Sequence, residues 1–141
     1  MDREILPIVL ILVFLLLVGL VIYLSNNTRI DSTLRQKVWN DVLQIKKMID
    51  TKNPLIYRDI MVRLDALLGK SLRLYYKNSE SCGTNLKQAK NLFDKGEYNR
   101  IWEAHKLRNR VVHENQEISS SELVESYNII SSAIKKLLYE K

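Results

Sequence analysis

The chain is poor in the residues that punctuate a fold or carry unusual chemistry: four glycines, two prolines, two histidines and one cysteine among 141 residues. So little glycine and proline argues against a sheet-rich fold with many tight turns and leaves long helices as the expected architecture. The lone thiol, Cys82, cannot close an intramolecular disulfide, so a reducing compartment is the natural setting. Cys82 stands beside Gly83 in an expected loop, with no catalytic signature around it. Also missing are a Walker A loop, a dinucleotide-binding glycine pattern, a serine-nucleophile elbow, an HExxH pair and any cysteine pair. Their absence removes the enzyme classes built on those signatures, and no cofactor is expected.

What is present is unevenly distributed. Residues 5–24, "ILPIVLILVFLLLVGLVIYL", run without a charge. At about 1.5 Å per residue, a helix of that length crosses the roughly 30 Å hydrocarbon layer. Pro7 falls in its first turn, where a missing N–H costs little, and Tyr23 falls at the far edge, where an amphipathic ring is favoured. A cleaved signal peptide has a shorter apolar run behind a positive start and before small residues. Here the start is "MDRE" and the run ends in "YLSNN", so an uncleaved anchor is expected. Arg3 alone precedes the run, whereas Arg29, Arg35, Lys37, Lys46 and Lys47 follow it. The positive-inside rule then predicts a single-pass protein with its N-terminus outside and its C-terminal part in the cytoplasm. With 22 Lys+Arg against 16 Asp+Glu, the formal net charge is +6. A basic body of this kind suits anionic lipid or nucleic acid, although most of its cations are interspersed with acids as on any solvated surface.

After a polar linker at 25–32, residues 33–141 carry the marks of an all-helical, antiparallel four-helix bundle. Leu34, Val38, Val42, Ile45 and Ile49 recur at helical spacing. Asn53-Pro54 supplies a cap and a first-turn proline for a second helix with Ile56, Ile60, Leu64, Leu67, Ser71 and Leu74 inward. Thr84 is expected to cap a short segment from Leu86 to Phe93. A third major helix should begin near Glu97, with Tyr98, Ile101 and Trp102 in the core. Ser119 and Glu122 form a capping box for the last helix, whose stripe is Leu123, Tyr127, Ile130, Ile134 and Leu137.

The third of these helices holds "HKLRNRVVHE", residues 105–114, which contains both histidines and three cations. His105, Asn109 and His113 are spaced i, i+4, i+8 and share one helical face, with Arg108 at its edge. Imidazole moves protons near neutral pH, and guanidinium grips two phosphate oxygens at once. Lys106, Arg108, Arg110 and His105 are therefore candidate phosphate or RNA contacts. No third strong ligand stands at metal-binding spacing, so no metal is expected. A further alternative is a purely structural reading, in which these groups hydrogen-bond across helix ends and only stabilise the bundle.

"RNRVVH", residues 108–113, fits the Arg-Asn-x-x-x-His pattern of the HEPN superfamily, the higher-eukaryote and prokaryote nucleotide-binding domains. The wider "IWEAHKLRNRVVHE" resembles a bacterial branch in which a Trp-Glu-Ala-His-Lys-Leu-Arg-Asn run precedes a His-Glu. The resemblance covers roughly residues 34–139. It extends to an aspartate midway along the second helix (Asp65), a Gly-Thr turn before the short segment and a tyrosine-bearing last helix. Active members of that superfamily are metal-independent endoribonucleases that often dimerise; many others keep the fold as binding or dimerisation modules. The resemblance implies that Arg108 holds a phosphate, His113 acts as general acid or base, and Asn109 orients a neighbour or binds phosphate, with Asp65 and Glu114 in support. Two roles follow. The favoured one is a membrane-anchored, non-catalytic module binding RNA, a nucleotide or a protein partner (an antitoxin-like one included); the other is a toxin-like ribonuclease. Either would work as a homodimer.

Overall fold

The computed structural model describes residues 5–28 and 30–140, and every regular element among them is helical. The chain divides into two units, Met1–Asp31 and Ser32–Lys141.

The first unit is α1 (Ile5–Thr28). Its 19 residues from Leu6 to Leu24 are long and apolar enough to cross a membrane, and all of their side chains are exposed. Residues 25–28, expected as linker, continue the helix by one turn. Arg3 and Arg29, two of the flanking charges, lie outside the described residues.

The second unit comprises α2 (Ser32–Asp50), α3 (Tyr57–Tyr76), α4 (Cys82–Gln88), α5 (Lys95–His113) and α6 (Ser120–Tyr139). Helix α3 is its hub and packs against α2, α4, α5 and α6. The apolar stripes meet there: Val38, Val42 and Ile45 from α2, Leu64 and Leu68 from α3, Ile101 from α5, and Ile130 and Ile134 from α6 are all buried. Leu34 departs from its stripe and is 41% exposed. Burying a side chain of this size contributes about 1.5–3 kcal/mol.

Sequence chemistry sets the helix ends. Asn53 accepts a hydrogen bond from the Leu55 N–H and starts a 3-10 turn, Pro54–Ile56, that leads into α3. The reciprocal Ser119–Glu122 box opens α6 as expected. Helix α5 begins two residues before Glu97, because Asp94 and Glu97 form a second capping box. The short segment differs more. Ser81, not Thr84, is the cap, so Cys82 and Gly83 belong to the first turn of α4 rather than to a loop. The segment then tightens into a 3-10 turn at Ala89–Leu92. Buried Asn85 holds its start in place by exchanging two 2.8 Å hydrogen bonds with Asn78.

Candidate functional site

Asp65 is the one buried carboxylate among the described residues. Its position follows from α3: it lies one residue after Leu64 and four before Gly69, on the side that meets α4 and α5. Burying an ionised carboxylate is costly unless it is paired. Two α5 groups, one turn apart, supply the pairing. His105 Nδ1 stands 2.7 Å from Asp65 Oδ1, and Arg108 Nε stands 3.6 Å from Asp65 Oδ2.

These contacts divide the sequence motif. The His105 side chain is only 12% exposed, and Trp102 packs edge-on against its ring at 5.7 Å. Arg108 is 29% exposed and donates from Nη1 to Asn109 Oδ1 at 3.0 Å, while its Nε is buried without a hydrogen-bond partner. His113 is the last residue of α5 and is exposed, as is Glu114 beyond it. Lys106 faces solvent and pairs with Glu103, and Arg110 donates to Gln116 Oε1. His105, Asn109 and His113 thus share a helical face in sequence, but His105 turns to Asp65 whereas His113 turns outward. Arg63, two residues before Asp65 on α3, bonds Asp59 one turn earlier instead.

Two participants had no local sequence signal. Arg58 reaches from the start of α3 to the end of α5, donating to the Val112 carbonyl at 3.3 Å and towards Asn115. Cys82 comes to the inner edge of the network, so that one donor atom each from Asp65, Cys82 and His105 lies within 4.8 Å of the others. Burial pushes the Cys82 thiol up to about 12; the Asp65 charge adds to this, while Arg73 and Arg108 pull the other way. Tyr98 and Trp102, expected in the core, are half-buried and stack edge to face as a screen beside His105; Tyr127 is half-buried too.

The arrangement holds a guanidinium in a fixed place at the rim of a buried acid–imidazole pair, with one freely accessible imidazole at the helix end. It can grip an oxyanion and offer one proton-transfer group to solvent. No protein-family model, curated protein or solved structure matches the chain.

Proposed function

We propose that this chain is a membrane-tethered, HEPN-like helical module that binds the phosphate of an RNA strand or nucleotide without cutting it. The observation that carries this reading is the posture of Arg108. Its guanidinium is anchored by Asp65 and Asn109 yet partly exposed, so little side-chain freedom is lost when a phosphate arrives. Asn109, Arg110 and His113 follow on the same stretch and extend the polar rim.

Cleavage is disfavoured by the fate of His105. Cutting RNA at its 2′-hydroxyl uses one group to accept a proton and another to donate one. With His105 bonded through Nδ1 to Asp65 and largely buried, His113 is the exposed imidazole among the described residues. Nuclease activity is therefore the second reading, with the second proton-transfer group supplied by a homodimer that brings two His113 side chains together, or by His105. The cations Arg35, Lys37, Lys46 and Lys47, which follow the apolar helix, favour a cytoplasmic location for α2–α6, where RNA is present.

The full chain in detergent micelles, titrated into a fluorescent single-stranded RNA, should show binding that weakens steeply with salt. Arg108→Gln should lower the affinity about tenfold, in line with the loss of one charge-assisted contact. Wild-type affinity in that variant would remove the proposal. Incubating the same RNA in EDTA distinguishes the second reading: cyclic-phosphate products that disappear in His113→Ala would make the chain a nuclease.

A further inference from the structure

Helices α3, α4 and α5 each contribute one metal-ligating side chain to a single point. We propose that Asp65, Cys82 and His105 bind one divalent cation of the zinc class through carboxylate oxygen, thiolate sulfur and imidazole nitrogen, with water as fourth ligand. The three donor atoms lie within 4.8 Å of one another. Oxygen, sulfur and nitrogen donors at one point suit a borderline-soft, four-coordinate ion, and calcium or magnesium would not select a thiolate.

The backbone is shaped for this approach. Gly69 lies one turn after Asp65 on α3, buried in mid-helix, where glycine costs about 1 kcal/mol relative to alanine. A Cβ there would stand 3.3 Å from the Cys82 Cβ, tighter than ordinary contact. The missing side chain lets α4 bring its thiol against α3 beside the aspartate. Trp102 covers the His105 ring on the outer side, giving the site the apolar wall that strengthens coordination.

The motion required is small. His105 Nδ1 and Asp65 Oδ1 are 2.7 Å apart, whereas two ligands at about 2.0 Å from a tetrahedral ion stand about 3.3 Å apart. Binding releases the Cys82 thiol proton to solvent, and the imidazole keeps one proton, on Nε2. Thiolate and carboxylate together balance the ion's two positive charges. Asp65 Oδ2 stays with Arg108, so the guanidinium need not leave.

Cobalt(II) provides the test, because a thiolate ligand gives it a charge-transfer absorption in the near ultraviolet. The full chain in micelles, stripped with EDTA, should take up one Co(II) with that band, and Zn(II) should displace it. Cys82→Ser should abolish the band and weaken Zn(II) binding by about tenfold or more. His105→Ala should weaken it similarly. Should that variant lose its helical circular dichroism, the near-isosteric Cys82→Ser decides alone. A wild-type chain without the band, or a band that persists in Cys82→Ser, overturns the proposal. RNA affinity measured on the same samples tests the Arg108 surface separately, so one proposal can fail without the other.

Discussion

The middle of α5 and its end contain the same residue in opposite circumstances. His105 is held against a buried carboxylate and screened by Trp102, whereas eight residues later His113 faces solvent on the final turn. The difference arises from what α3 presents to each. Opposite His105 it presents Asp65, a charge that must be answered; near His113 it presents Arg58, which bonds the backbone and leaves the imidazole alone. One imidazole is tied to a buried carboxylate and the other is open to solvent.

The largest expected effect comes from breaking the tied end. Asp65→Ala removes the shared partner of His105 and Arg108 and should cost about 3–5 kcal/mol, the usual result of deleting one member of a buried charged pair. His113→Ala should stay within about 0.5 kcal/mol of wild type, as exposed substitutions do. Urea denaturation of both variants measures the contrast; equal losses would erase it.

Cys82 sharpens the comparison through pH. Its pKa is raised in the folded chain to about 12 from the ordinary thiol value of 9.0, so well below pH 9 the group is neutral whether the chain is folded or not, and close to pH 9 only the unfolded chain carries appreciable thiolate. As pH rises from 9 towards 12, the unfolded chain loses this proton first, and stability falls across that window. Cys82→Ser should flatten that alkaline decline. Iodoacetamide at pH 8.5 should alkylate the native thiol far more slowly than the urea-unfolded one.

The smallest effect concerns the turn after the open end. Ser119→Ala should cost about 1 kcal/mol by removing the α6 cap. The Ser119 hydroxyl and then its N–H hold the Glu122 carboxyl below its ordinary value. That contribution is present above the ordinary glutamate value and is lost as pH falls from there through the lowered folded one. Thermal melts at pH 7 and pH 3.5 should therefore separate wild type from Ser119→Ala more at the higher pH.

How much of this could be read from the sequence depended on the range of the interaction. Periodicity revealed the stripes of α2, α3 and α6, because Val38, Val42, Ile60, Leu64, Ile130 and Ile134 repeat at the spacing of one turn. Capping chemistry marked the start of α6. It erred at α4, where Ser81 and Thr84 are both competent caps, three residues apart, and a seven-residue helix is too short for its stripe to decide. Asp65 and His105 are 40 positions apart, and no local rule pairs them. The same holds for Cys82, whose neighbours suggested a loop and whose actual company comes from two other helices. Aromatic character suggests the core for Tyr98 and Trp102, yet they sit at its margin, where Trp102 packs edge-on against the largely buried imidazole of His105.

The bond from Arg58 to the Val112 carbonyl ties the order of the final α5 turn to a side chain on another helix. An anion arriving at that corner competes for the same guanidinium. If it prevails, the Val112 carbonyl at the last turn of α5 is left to solvent, one residue from the exposed ring of His113.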